Sequence, residues 1–254
     1  MNLVDEVKKK REFSGLPNSV VERALGLSEG DVKNTRALLR KYFGVFLTNR
    51  VLKGKGGLLV VHMSSKKRDY QKFYSKIFEV VRGCERRGED FDDCRHRGVG
   101  SVVDLGCGVN GFSYEYLPRG VSYIGVEAVG QLVDLTNDYF DEKGYDGRVL
   151  HGDLFDVGFV KKILKDAGKP RVVFMFQIVD ALENLERDFS KRFILEVAKE
   201  CEWIVLTSPT ESLGGRKKFA VRRKWIVDFL RENFLVEESL VARGEKMIIL
   251  KNKK

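Results

Sequence analysis

The residues best placed to do chemistry lie in the run DLGCGVNGF, where Asp104, Gly106, Gly108 and Gly111 follow directly on the apolar stretch SVV. Glu127 and, in HGDLFD, Asp153 come after them. The spacing G-x-G-x-x-G after a strand makes a tight turn that lets backbone approach a nucleotide-like ligand closely. A dinucleotide domain would also place an acid about 20 residues further on to hold a ribose, as Glu127 is placed, so the glycines and Glu127 do not identify the ligand. Asp104 separates the readings. It ends the first strand two residues before Gly106, facing the turn, where a carboxylate repels a pyrophosphate and attracts an ammonium or sulfonium group. Asp153, at the end of a later strand, can accept a hydrogen bond from an adenine amino group.

The elements that must hold these residues are readable from residue 101 onward. The short apolar runs SVVDL, VSYIGV, RVLHG, RVVFMF and EWIVLT alternate with helical patterns such as GQLVDLTNDYFDEKG and LERDFSKRFILEVAKE. This alternation predicts an α/β, doubly wound, mostly parallel Rossmann-like sheet covered on both faces. The end, FLVEESLVARGEKMIILKNKK, leaves no room for a crossover helix and predicts a hairpin with one antiparallel strand. Class I S-adenosylmethionine (AdoMet) methyltransferases close their sheet in this way, and dinucleotide domains usually do not. The turn is therefore read as an AdoMet site, with Asp104 serving the cationic end, Gly106 and Gly108 the turn, Glu127 the ribose hydroxyls and Asp153 the adenine. Cys107 is read as a small filler whose backbone lines the site. Asp153 has one structural alternative, as a cap for DVGFVKKILKDAG.

The chain is 254 residues long and 43% hydrophobic, enough for one sizeable core and a smaller unit. Its net charge of +9 is segregated: residues 1–75 hold 16 Lys and Arg against 7 Asp and Glu, and the remainder is balanced. A basic surface of this kind meets polyanions, because each phosphate contact releases counterions. Residues 1–75 are read as a basic helical RNA-binding extension and 76–254 as the methyltransferase domain, with 76–99 as a linker region. Within the extension, Ser19 with Glu22 and Ser28 with Asp31 are read as helix-start signals. SSKKRDYQKFYSKIFEVV is read as a helix whose aromatic residues pack into a core.

Other classes are set aside by what the sequence lacks. No apolar stretch approaches a membrane span and the start, MNLVDEVKKKREF, has no secretory apolar segment, so a cytoplasmic protein without membrane contact is expected. Cys84, Cys94, Cys107 and Cys201 form no C-x-x-C pair and His62, His96 and His151 are scattered, so no metal is expected.

Taken together, HMSSKKRDYQKFY, DLGCGVNGF and SPTESLGGRKKF resemble the aminoglycoside-resistance ribosomal RNA methyltransferases of the Arm/Rmt/Sgm type. The resemblance is loose at the N-terminus and firm from about residue 60. It implies methylation of guanine N7 near the decoding region of small-subunit ribosomal RNA; ribosomal RNA or the 30S subunit is the expected partner, the nucleotide is expected to be flipped and the protein to act as a monomer. By position it assigns His62, Ser64 and Arg68 to a cap over the cofactor, Arg68 meeting the cofactor carboxylate. It also assigns Gly106, Glu127, Asp153, Leu154 and Phe176 to the pocket. The chain departs from the family pattern at Gly111, where proline is common, at Gln177, where lysine is typical, and at Asp180, where proline is usual.

N7 of guanine has a free lone pair and no proton, so the resemblance requires no general base and no catalytic residue is assigned. Transfer to N1 of a purine would instead make Asp180 of interest as an acid/base group, although it also reads as a cap for ALENLERD. Ser212 in SLGGR and the basic residues Arg216, Lys217, Lys218, Arg222 and Arg223 are read as RNA contacts, with Phe176 and Phe219 as stacking candidates. Two alternatives remain: a non-catalytic RNA-binding or ribosome-assembly protein with a methyltransferase fold, and a small-molecule methyltransferase.

Overall fold

The computed structural model describes residues 2–44, 46, 48, 68–83, 98–210, 223–242 and 244–253. Seven strands form one sheet: β1 (Ser101–Leu105), β2 (Ser122–Glu127), β3 (Gly147–His151), β4 (Arg171–Phe176), β5 (Trp203–Pro209), β6 (Phe234–Ala242) and β7 (Glu245–Asn252). Their order is β3-β2-β1-β4-β5-β7-β6. The first five run parallel, and β7 is antiparallel to both β5 and β6. The chain leaves β1 toward β2 on one side and reaches β4 on the other, which opens a crevice at the strand ends beside β1.

The central strands are apolar throughout because both their faces are covered. Val103 and Leu105 of β1, Val173 and Met175 of β4, and Ile204 and Leu206 of β5 pack against α6 (Val157–Asp166), α7 (Val179–Leu185), α8 (Phe189–Ala198) and α9 (Lys224–Asn233). Val102, Val172, Phe174 and Val205 point the other way, toward α4 (Tyr70–Arg82), α5 (Gly130–Lys143) and the 3-10 turn Asn110–Tyr116.

Helix α4 bears out the reading of its aromatic residues as core. Tyr70, Tyr74, Ile77 and Phe78 are buried, and the Tyr74 ring lies parallel to Phe174 at 5.8 Å. Asp69 caps α4 by accepting from the Lys72 backbone N–H, and Gly83 at φ +72° ends it. The helix runs unbroken through residues 75 and 76, so the linker stretch begins as helix. The apolar face continues through Val80 and Val81, and polar sequence takes over only afterward.

The N-terminal helices α1 (Leu3–Lys8), α2 (Asn18–Leu27) and α3 (Val32–Phe43) pack around Phe13, Leu16, Val21 and Leu39. That cluster also takes in Val109, Val129 and Leu132, so these helices share a core with the loops after β1 and β2 and with the start of α5. Both helix-start readings need correction. Helix α2 starts after Pro17 with no side-chain cap, and the Ser19 hydroxyl, already inside the first turn, donates instead to Asp153 at 2.7 Å. Ser28 closes α2, and Asp31 alone caps α3 by accepting from the Asn34 N–H. No described helix is long and apolar enough to cross a membrane.

Leu132 lies fully buried in the core shared with the N-terminal helices. Leu132→Ala is expected to cost about 2–5 kcal/mol in denaturant unfolding, by cavity formation. A loss below about 1 kcal/mol would mean that this core is not closed.

Candidate active site

The chain leaves β1 through Gly106 at φ +72° and Gly108 at φ +52°, backbone that L side chains rarely adopt. A Cβ at Gly106 would stand 2.7 Å from Ile178 Cγ2, and one at Gly108 would stand 2.5 Å from the Phe46 ring. The turn is tied to β2. Gly106 and Cys107 donate their N–H groups to the Val126 carbonyl at 2.8 and 3.1 Å, and Gly108 donates to Glu127 Oε2 at 2.8 Å. Glu127 Oε1 accepts from the Val129 N–H at 2.9 Å. Burial pushes the Glu127 carboxyl above its ordinary value, against the pull of these backbone donors. Each carboxylate oxygen accepts more than one hydrogen bond, so Glu127 can hold the turn and a ligand hydroxyl together.

Asp104 lies one layer deeper than expected. It is fully buried on the α4 face of β1, and Asn110, not Asp104, lines the cleft. The reason is the strand pleat: residue 104 shares a face with Val102, and its side chain stands across the sheet and not along the strand. Its Oδ2 accepts from Asn110 Nδ2 at 2.6 Å and from the Tyr123 hydroxyl at 2.9 Å, whereas Oδ1 is buried with no partner among the described residues. Burial raises the Asp104 carboxyl to about 6, opposed by the Asn110 and Tyr123 hydrogen bonds and by Arg68.

Asn110 passes the network on. Its Oδ1 accepts from Arg68 Nη1 and from the Tyr74 hydroxyl, each at 3.3 Å. Arg68, expected to face a cofactor carboxylate, lines the cleft but already holds one: Nη2 and Nε donate to Glu245 at 2.7 and 3.2 Å. The Arg68 guanidinium also stands 4.6 Å from the Phe73 ring centre and 5.0 Å from that of Phe176. Burial pushes the Glu245 carboxyl up, yet Arg68 and the hydrogen bonds from Thr207 and Gln177 together hold the group below its ordinary value. Gln177 Nε2 donates to the same carboxylate at 3.0 Å from a backbone strained to φ +59°. Sequence reading missed Glu245, because an acid beside a hairpin turn looks like any solvated turn residue.

These groups border a cleft of about 470 Å³ whose walls include Gly106, Asn110, Glu127, Asp153, Leu154 and Phe176. Glu127 and Asp153 thus meet in one cavity, as expected. Asp153 Oδ1 accepts from the Phe155 N–H at 3.0 Å and Oδ2 from Ser19. Asp153 is not the cap of α6; Asp156 is, accepting from the Phe159 N–H. Lys41, Tyr42, Phe43 and Phe46 supply a wall from the N-terminal side, which sequence reading did not foresee.

On the far wall, Asp180 sits inside the first turn of α7 and does not cap it, the N-cap position being Ile178. Both its oxygens accept from Arg223 Nε, at 2.8 and 3.0 Å, and Arg223 Nη1 donates to the Pro209 carbonyl at 2.6 Å. Arg223, expected on RNA, is turned into the protein. Ser212, Arg216, Lys217, Lys218, Phe219 and Arg222, together with His62 and Ser64, lie outside the described residues. Among the described residues no group of three or more His, Cys, Asp or Glu is arranged to hold a metal.

The sheet order, reversed β7 and crevice beside β1 are those of the class I methyltransferase fold, here preceded by helices. Solved structures agree over the full chain. The 16S rRNA methylase RmtB superposes with a TM-score of 0.72 at 18% identity, covering 100% of this chain and 99% of that one. The 16S rRNA methyltransferase RmtF, in complex with S-adenosyl-L-homocysteine, gives 0.70 at 17% identity, covering 99% and 97%. An rRNA methylase from Escherichia coli gives 0.66 at 18%, covering 99% and 98%. No protein-family model and no curated protein sequence matches the chain. At these identities the likeness establishes the fold.

The Asp104 carboxyl takes up a proton more readily in the folded protein than at its ordinary value of 3.8. Its contribution to stability is therefore fully present below about pH 4 and is lost as pH rises toward 6. Relative to Asp104→Asn, the wild type is expected to lose roughly 3 kcal/mol across that window in denaturant unfolding. A pH-independent difference between the two proteins would contradict the burial of this charge.

Proposed function

We propose that the protein is an AdoMet-dependent methyltransferase of small-subunit ribosomal RNA, acting in the cytoplasm on a base nitrogen of a flipped nucleotide near the decoding region, with guanine N7 as the favoured atom. The observation that carries the cofactor is the orphaned, buried Oδ1 of Asp104 beneath a glycine turn flanked by Glu127 and Asp153. A cationic ligand would relieve the excess negative charge there, and a pyrophosphate would add to it. RmtF carries S-adenosyl-L-homocysteine on the same fold, in keeping with this assignment.

AdoMet, when bound, supplies a methyl group on a sulfonium sulfur for in-line transfer to a nucleophile. The chain's task is to bind and orient. Glu127 would accept the ribose hydroxyls while keeping the turn closed through Gly108, and Asp153 would accept from the adenine amino group. Asn110, held by Asp104, and Arg68, held by Glu245, would face the amino-acid end, where Arg68 can exchange Glu245 for the cofactor carboxylate. His62 and Ser64 are proposed to cap the cofactor, as the sequence resemblance implies.

Phe176 and Gln177 line the cleft beside Asp180, and a flipped base is proposed to enter there. Both Asp180 oxygens accept from Arg223, an arrangement that favours an acceptor needing no base, such as guanine N7. For RNA, the support is the charge excess in residues 1–75 and the basic segment through Arg216, Lys217, Lys218 and Arg222, with Ser212 at its start. Residues 1–75 are proposed as the RNA-gripping unit, and Arg223 as the anchor of that segment.

Tritiated methyl transfer from AdoMet to 30S particles, free 16S RNA, protein and metabolite pools tests the proposal. Label is expected in RNA, and label confined to metabolites or absent everywhere would overturn it. Replacing Arg216, Lys217 and Lys218 by Ala is expected to weaken 30S binding at least about tenfold and to flatten its salt dependence, with AdoMet affinity unchanged. Unaltered 30S binding would remove this segment from the RNA surface.

A further inference from the structure

Helix α2 reaches the end of β3 through three residues of one face. Ser19 donates to Asp153 Oδ2 at 2.7 Å, Val20 lines the cleft, and Arg23, one turn on, covers the Phe155 ring at 3.9 Å while pairing with Glu186. Phe155 in turn donates its N–H to Asp153 Oδ1 at 3.0 Å. Among the described residues the Asp153 carboxylate is thus fixed by Ser19 of α2 and by the Phe155 N–H, and the Phe155 ring meets both Arg23 of α2 and Phe189. The serine lies 134 positions away in sequence.

We propose that Ser19 is a positioning residue that sets base selectivity in the cofactor pocket by fixing Asp153, so that the purine-reading carboxylate is complete only with the N-terminal helices docked. The proposal rests on the reading of the cleft as an AdoMet site. A carboxylate held by two donors stays an acceptor in a fixed plane. It can then receive a 6-amino group, and it opposes the 6-oxo group of a hypoxanthine ring, acceptor against acceptor. Without the Ser19 hydroxyl, Asp153 keeps one anchor and is free to turn. Binding the cofactor and docking the basic N-terminal unit then become linked equilibria, each strengthening the other by the same factor.

The test titrates the full-length protein, as wild type, Ser19→Ala and Ser19→Thr, with S-adenosylhomocysteine and with its 6-oxo analogue S-inosylhomocysteine, by calorimetry. The wild type is expected to prefer the amino form. Ser19→Ala is expected to bind it about fivefold more weakly, with the oxo form unchanged, so that the preference narrows. Ser19→Thr, which keeps a hydroxyl, is expected to restore the preference. A wild type without preference, an alanine variant that keeps the wild-type ratio, or equal weakening for both ligands would overturn the role of Ser19. A wild type that binds neither ligand would instead overturn the AdoMet reading itself, and the inference with it.

Discussion

Burial of carboxylates in excess of cations governs this site. Asp104, Glu127, Asp153 and Glu245 gather where β1, β2 and β3 end and β7 begins, and the buried guanidinium among them, Arg68, is paired with Glu245. An ionised carboxylate out of water is costly unless it is hydrogen-bonded or paired. The protein meets this cost unevenly. Glu127 is satisfied by backbone N–H groups and Asp153 by Ser19 and Phe155, while Asp104 keeps one oxygen without a partner among the described residues. Above about pH 6 this leaves excess negative charge beneath the glycine turn, which a ligand carrying positive charge in the adjoining cleft would offset without touching Asp104.

A polar network ties the cleft to the strands and helix on the α4 side of the sheet. Tyr123 from β2 and Asn110 from the 3-10 turn both donate to Asp104 of β1, and Asn110 accepts from Tyr74 of α4 and from Arg68, which reaches Glu245, so these groups form one chain of contacts across the strand ends. A displacement at the closing hairpin would therefore be felt at the glycine turn. The N-terminal helices complete the enclosure from the opposite side, through Lys41, Tyr42, Phe43 and Phe46. Described residues of the basic N-terminal part thus wall the cleft directly.

Much of this was legible in advance because it depends on local signals. Each apolar run became a strand within two residues of its expected ends, and RGEK marked the turn of a hairpin. Gly106, Glu127 and Asp153 follow from the position of strand ends. What was not legible depends on partners far away in the chain. Asp104 could be placed at the end of β1, but its burial arises from α4 covering that face. Ser19 looked like a helix cap until Asp153 claimed its hydroxyl. Arg223 looked like one more cation in a basic run until Asp180 and Pro209 turned it inward. Glu245 gave no signal at all.

The account turns on which ligand the glycine turn accepts. Isothermal titration of the purified protein with AdoMet and, separately, with NAD and NADPH compares a cationic cofactor with two pyrophosphates at the same cleft. Saturable one-site binding of AdoMet is predicted, with neither dinucleotide binding at a hundredfold higher concentration. Binding of either dinucleotide as tightly as AdoMet would contradict the electrostatic basis of the whole account.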